Sequence, residues 1–261
     1  MKKLIQVTDP HLMGRGGKFH GIDPEERLRE CLLHIAENHP DADAIIVTGD
    51  LADNGEVAAY QQLKELMEGL RTPIYLTLGN HDSRQAFRQV FGGSGFVNAT
   101  FDLETWRIIV VDSKGDFSDC GSLDQGRLAW LEYELANAGD RNVILAMHHT
   151  PTNLHAPFFQ PDDDLTDGEA LVDLIKRTPA VKHMLFGHRH LTVGGSYAGI
   201  SFSVCRGTSH HIALDLSQTG RSNFVAAPPS YDIVLLDERD VIVHKYYGLE
   251  QLEIIRPGDP K

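Results

Sequence analysis

Over the first eighty residues, short apolar runs alternate with stretches of helical period. Leu4–Val7 is an apolar run, and Pro24–His39 places Leu28, Cys31, Leu32 and Ile35 on one helix face. Ala44–Thr48 is apolar and β-branched again. Glu56–Leu70 repeats the helical spacing with Tyr60, Leu63, Leu66 and Met67, Pro73 ends it, and Ile74–Leu78 supplies a third strand. Helices alternating with short buried strands predict a largely parallel sheet with helices outside.

From Val97 the pattern changes. Val97–Leu103 and Trp106–Val111 flank a turn at Glu104-Thr105 and predict adjacent antiparallel strands. Leu123–Ala138 and Asp167–Arg177 read as helices, Val143–Met147 and Val181–Phe186 as strands. Thr192–Tyr197, Ile200–Cys205, Ile233–Leu236 and Val241–Tyr246 follow as mostly hairpin-like strands. The expected fold class is α/β, two facing sheets with helices outside. No repeat or linker divides the chain, so 1–261 is expected to be one domain, with Ser217–Pro229 its most mobile loop.

Ligand-type residues begin where apolar strands end. Asp9-Pro10-His11 follows Leu4–Val7, Gly49-Asp50 follows Ala44–Thr48, and Gly79-Asn80-His81-Asp82 follows Ile74–Leu78. His148-His149 follows Val143–Met147, and Gly187-His188-Arg189-His190 follows Val181–Phe186. In open α/β sheets the carboxyl ends of strands share one edge, where ligands bind, so five separated segments should converge. The convergent set is Asp9, His11, Asp50, Asn80, His148, His188 and His190. Imidazole, carboxylate and amide without thiolate fits Fe, Mn, Zn or Co, and seven ligands exceed one tetrahedral ion. Two ions sharing a carboxylate, with a bridging hydroxide as nucleophile, account for the set. The spacings Asp9-x-His11 and His188-x-His190 would put alternate side chains on one side of an extended segment. Each motif alone also has an ordinary reading as a turn, a helix cap or a core histidine. It is the conjunction of all five that carries the metal site.

Composition adjusts this picture little. With 41% hydrophobic residues in 261, the chain can bury a sizeable core. Its net charge of −13 and lack of a Lys/Arg run speak against a nucleic-acid polymer or an anionic membrane as partner. Cys31, Cys120 and Cys205 are far apart and in no CxxC pattern, which predicts reduced thiols and a cytoplasmic location. The opening MKKLIQV reads as a flanked first strand rather than a leader, and no stretch is long and apolar enough to span a bilayer.

The ordered set Asp9-x-His11, Gly49-Asp50, Gly79-Asn80-His81-Asp82, Met147-His148-His149-x-Pro151 and Gly187-His188-x-His190 resembles the calcineurin-like metallophosphoesterases. The resemblance runs from the first strand to about His211. It implies two mixed β-sheets flanked by helices, a four-layer αββα sandwich. It also implies Asp9, His11 and His190 on one ion, Asn80, His148 and His188 on the other, and Asp50 bridging, with His148 rather than His149 as ligand. The segment Gly16–Asp23 resembles the branch of bacterial glycerophosphodiesterases and class III cyclic-nucleotide phosphodiesterases, whose corresponding loop lies over the substrate. Phe19 and His20 thereby become candidate substrate contacts, although a histidine in a Gly-rich loop is more often merely solvated. Gly207-Thr208-Ser209-His210 resembles a branch segment that brings a histidine, here His210, toward the phosphate.

The expected activity is therefore dinuclear-metal hydrolysis of small phosphodiesters. A phosphomonoesterase with the same metals is the alternative, and a non-catalytic scaffold or a nuclease is less favoured. His81, following Asn80, is expected at the rim, where it can protonate the leaving alkoxide or bind a phosphate oxygen together with Asn80. Asp82 either orients that imidazole or caps the helix from Ser83. Asp53-Asn54 reads more readily as a cap for the helix from Glu56 than as support for the site, and Asp112-Ser113 as a turn or as support for a ligand histidine. The run Asp162-Asp163-Asp164 is expected to be a solvated loop, and His155, Phe158 and Phe159 an active-site rim or dimer contact. A homodimer is expected by resemblance alone.

Overall fold

A computed structural model describes residues 1–116, 120–156, 164–217 and 223–246. The alternation along each strand decides the layering. In β1 (Lys2–Val7), Ile5 and Val7 face one way and Leu4 the other; in β2 (Ala44–Thr48), Ile45 and Val47 oppose Ala44 and Ile46. These strands are buried on both faces, so both faces must be covered. One face packs on α1 (Pro24–Asn38), α2 (Val57–Met67) and α3 (Arg84–Phe91), through Leu28, Ile35, Tyr60, Leu63 and Phe87. The other face meets a second sheet. There Leu4, Ala44 and Ile46 pack against Ile108 and Val110 of β5 (Trp106–Val111), Ile144 and Ala146 of β6 (Asn142–Met147) and Leu185 of β7 (Val181–Phe186). The opposite faces of those strands bury Ile109, Leu145 and Met184 under α4 (Gln125–Ala136) and α5 (Gly168–Lys176). Three apolar layers between four structural layers give the expected αββα sandwich.

The first sheet has the order β13 (Val241–Tyr246), β12 (Tyr231–Leu236), β1, β2, β3 (Ile74–Thr77), parallel from β1 to β3 and antiparallel at β12 and β13. The second runs β4 (Ala99–Leu103), β5, β6, β7, β9 (Ile200–Val204), β8 (Val193–Tyr197), parallel inside with antiparallel edges. Five ligand segments on one sheet edge were expected. Those after β1, β2 and β3 leave the first sheet and those after β6 and β7 leave the second, so they meet only because the two sheets face each other. Polar bridges hold the sheets together near that end. Gln6 Nε2 donates to the Phe186 carbonyl at 2.9 Å, and Thr77 Oγ1 donates to the Val111 carbonyl at 2.9 Å.

Local signals explain the helix starts. Asp23 caps α1 by accepting from Glu26 N, with Pro24 at its first turn, and Ser83 caps α3 by accepting from Ala86 N. The C-terminal region adds an antiparallel ribbon of β10 (His211–Ile212) and β11 (Phe224–Val225), of which β11 falls inside the stretch expected to be a loop. Residues 218–222 of that stretch lie outside the described residues, as do Phe158, Phe159, Asp162 and Asp163.

Candidate metal centre

The turns after the five strands are unusual in their backbone. Among the described residues, nine non-glycine positions have positive φ, and five of them are predicted ligands: Asp9 (50°), His11 (46°), Asp50 (48°), His188 (70°) and His190 (52°). Asp and His enter the left-handed region more readily than most residues, and such conformations cluster at functional sites. The extended Asp-x-His and His-x-His segments of the sequence reading are thus corrected to left-handed turns. The chain must reverse out of the sheet there, and the turn aims the side chains inward. Backbone bonds fix these turns to one another: Asp9 N to the Gly49 carbonyl, His11 N to the Asp50 carbonyl, Gly187 N to the His148 carbonyl. Glycine permits the close approach. A Cβ on Gly79 would collide with Asp50 Oδ1 and His148 Nε2.

The side chains converge. Asp9, His11 and His190 bring one ligand atom each within 4.8 Å of one another, as do Asp9, Asp50 and His148, and also His148, His149 and His188. His11 Nε2 and His190 Nε2 point at the same place, 3.2 Å apart. Asn80 Oδ1 lies 3.1 Å from His148 Nε2. One oxygen of Asp50, Oδ2, sits between the two halves, 3.5 Å from His11 Nε2 and 3.3 Å from His148 Nε2. Asp9, Asp50 and His148 are buried, with side-chain exposure of at most 2%.

Outside this ring, oxygen atoms set the histidine tautomers. His148 Nδ1 donates to the Thr48 carbonyl at 2.7 Å, and His190 Nδ1 to the His210 carbonyl at 2.8 Å. His11 Nδ1 lies 3.1 Å from Asp53 Oδ1. A carbonyl can only accept, so in His148 and His190 the proton is on Nδ1 and Nε2 is left for an ion. The electrostatics ask for positive charge. Burial pushes the Asp50 carboxyl up, but His148, then His11 and His81, outweigh it and hold the group well below the usual carboxylate range. Burial lowers His148, yet Asp50 and Asp9 raise it to about 9. Burial, followed by His149 and Arg189, keeps His188 neutral. Nitrogen and oxygen donors, pre-set tautomers and two buried carboxylates fit a pair of transition ions.

His81 stands at the rim, 42% exposed, with its ring edge-on to His11 at 4.7 Å. Its Nδ1 donates to the Asp53 carbonyl at 2.7 Å, and its N–H to Asp50 Oδ1 at 2.9 Å. The orienting role expected of Asp82 therefore falls to the Asp53 backbone. Asp82 is buried and turned away, accepting from Leu51 N, Ala52 N, Gly79 N and Tyr60 Oη, and Ser83 rather than Asp82 caps α3. Asp53 is corrected too. It makes no cap for α2, whose N-terminal Glu56 has no side-chain cap bond; it supports His11. Ser113 Oγ meets His149 Nδ1 at 2.9 Å, so it supports a histidine next to the ligands, whereas Asp112 holds Arg84 with both oxygens. Asp164 is not a solvated acid: it is buried against Thr150 and Arg189.

A family model described as calcineurin-like phosphoesterase matches residues 2–191, a span that contains all seven ligand candidates. The chain belongs to this family. Over 251 residues it is 36% identical to a Rhodopseudomonas palustris protein named "Probable cyclic nucleotide phosphodiesterase", covering 93% of this chain and 91% of that protein. It is 29% identical to an Arcobacter nitrofigilis protein named "Probable glycerophosphodiester phosphodiesterase", with 94% and 92% covered. Among solved structures, a dimetal phosphatase from Danio rerio superposes with a TM-score of 0.70 over 94% of this chain and 95% of that one, at 13% identity, which is a likeness of fold.

The rim of this phosphoesterase gathers the other sequence candidates. Phe19 stacks on His210 at 4.2 Å, and His20 is exposed beside Phe19 at 4.6 Å. His210 is buried; its ring lies parallel to His190, and its Nδ1 is 3.0 Å from Ser209 Oγ. His155 is exposed. Phe224 also joins this wall, where no motif or spacing points to it. No helix among the described residues is long and apolar enough to cross a membrane.

Proposed function

We propose that the chain hydrolyses small phosphodiesters at a two-metal centre, with Asp9, His11 and His190 on one ion, Asn80, His148 and His188 on the other, and Asp50 shared. The observation that carries this is the position of Asp50 Oδ2 between His11 Nε2 and His148 Nε2, where one carboxylate oxygen serves both halves. The donor set fits Fe, Mn, Zn or Co. When bound, the ions supply an ionised water for attack and neutralise charge growing on the phosphate oxygens. The chain's own residues do the rest. Asp53 fixes His11 through Nδ1, and the carbonyls of Thr48 and His210 fix His148 and His190. With His81 Nδ1–H tied to the Asp53 carbonyl, the imidazolium form carries its second proton on Nε2, and that is the proton it can pass to the leaving alkoxide, returning to the neutral ring. The diester rather than monoester reading is supported by relatives named as phosphodiesterases over nearly their whole length. The three free thiols Cys31, Cys120 and Cys205 support a reducing, cytoplasmic setting.

The test compares bis(p-nitrophenyl) phosphate with p-nitrophenyl phosphate before chelation, after it, and after Mn(II) is restored. The expected result is faster diester hydrolysis that chelation abolishes and Mn(II) returns. Activity surviving complete chelation refutes the metal centre, and a preference for the monoester makes the protein a phosphomonoesterase.

A further inference from the structure

A column of rings leads away from the metal ligands. His210 lies parallel to His190, centroids 4.1 Å apart at 26°, and Phe19 continues it at 4.2 Å and 18°. Phe224 stands across the end of the column, edge-to-face with Phe19 at 5.0 Å and with His210 at 5.1 Å, and nearly parallel to His20 at 5.5 Å and 25°. Three separate segments build this wall: the loop before α1, the turn that carries His210, and the β11 ribbon. Phe224 is 49% exposed, so an aromatic surface is open to solvent two rings from His190.

We propose that Phe224, held in place by Phe19, His20 and His210, forms a stacking subsite for a nucleobase carried by the phosphodiester, and that Phe224 is its specificity-determining residue. The inference deepens the diesterase reading and rests on its metal centre to hold the phosphate. A base joined to phosphorus through a sugar is displaced from it by a spacer that can reach rings beyond His190. Glycerol has no π face to offer them. Base–aromatic stacking tolerates any base because each has such a face. A quaternary ammonium headgroup would instead need ring faces converging around a cation. Here Phe19 and His210 turn one face each toward the other, stacked at 4.2 Å and 18°, so those two faces are not open to a cation.

The test measures binding to the Mn(II)-loaded protein by calorimetry, using adenosine 5′-monophosphate, glycerol 3-phosphate and phosphocholine as probes. Phe224→Ala and Phe224→Leu are expected to weaken the adenosine monophosphate by about tenfold or more. Phe224→Trp, which restores a π face, should stay within about threefold of wild type, and glycerol 3-phosphate should bind all four proteins alike. Leucine keeps the apolar bulk of the ribbon, so it separates stacking from folding. The proposal is overturned if adenosine monophosphate binds the wild type no better than glycerol 3-phosphate, or if Phe224→Ala weakens both equally. It is also overturned if phosphocholine is the ligand that Phe224 selects. Monophosphate binding does not depend on a preference for diesters, so failure here is distinct from failure of the diesterase reading, which the nitrophenyl comparison decides.

Discussion

Asp53 offers the sharpest test of how the metal centre is held, because its closest side-chain contact and its backbone contact fall on different histidines. Its carboxylate lies 3.1 Å from His11 Nδ1, while its backbone carbonyl accepts from His81 Nδ1. Asp53→Ala removes the first contact and leaves the second in place. Without that carboxylate, His11 loses the acceptor that fixes its ring and leaves Nε2 for the ion, and it loses the negative charge that makes the imidazole more basic. The carboxylate is 15% exposed and His11 3%, so water only partly replaces the bond. Removing such a partner lowers metal affinity by about 10- to 100-fold, which is about 1.4 to 2.8 kcal/mol. The effect should fall on the ion held by Asp9, His11 and His190. Asp53→Asn retains an acceptor oxygen without the charge and should lie between wild type and alanine. Calorimetric Mn(II) titration of the metal-free protein, with two resolved binding steps, reads this directly. Unchanged affinity for both ions in Asp53→Ala, or weakening only of the step assigned to His148 and His188, would refute the reasoning.

Two further outcomes follow from the same geometry. His81→Ala should lower kcat for bis(p-nitrophenyl) phosphate by about 10²- to 10⁴-fold with metal content unchanged by elemental analysis, as the proposed role of His81 is to donate a proton rather than to hold an ion; loss of metal would remove it from that role. His183, far along β7 from the ligands, is buried between Ser201 and Ser203, and burial lowers it to about 4. Between its unfolded value near 6.5 and about 4, only the unfolded chain binds this proton, so stability falls with falling pH by about 1.4 kcal/mol per unit from this group and is full above 6.5. In the metal-free protein, His183→Gln should show a shallower loss of denaturation free energy than wild type from pH 6.5 to 4.5, and equal slopes would show that His183 does not titrate on unfolding.

The sequence revealed what is local and hid what is assembled. An apolar run followed at once by Asp, Asn or His is visible in one dimension, and so the strand ends and all seven candidate donors could be named. The partition of those strands between two sheets could not, because Leu4 and Ile5 are equally apolar and only packing assigns them to different layers. The short helix α3 was legible only as a helix from Ser83 with Asp82 as its possible cap, since just Ala86 and Phe87 of its eight residues are buried. Most of the support for the ligands was invisible for a simpler reason. Thr48 and His210 act on His148 and His190 through backbone carbonyls, and every residue has one. Phe224 lies in a Gly/Ser/Asn-rich stretch whose composition argues for a loop, and it joins the rings only through the pairing of β11 with β10.

The left-handed turns explain why these pieces act as a unit. A non-glycine residue in that region costs of order 1–3 kcal/mol, and five such residues persist only where neighbours over-determine them. Here each turn is held by another turn. Asp9 N reaches back to Gly49, His11 N to Asp50, and His188 N donates to the Asp9 carboxylate. Ser209 Oγ and Ser209 N both bond the Asp9 carbonyl, and His190 Nδ1 bonds the His210 carbonyl. The segment carrying His210, which sets the aromatic wall, is thereby tied to the first and last ligand turns. A shift at that wall must be transmitted to Asp9 and His190, so the proposed base subsite and the proposed metal centre share one hydrogen-bonded frame rather than two independent ones.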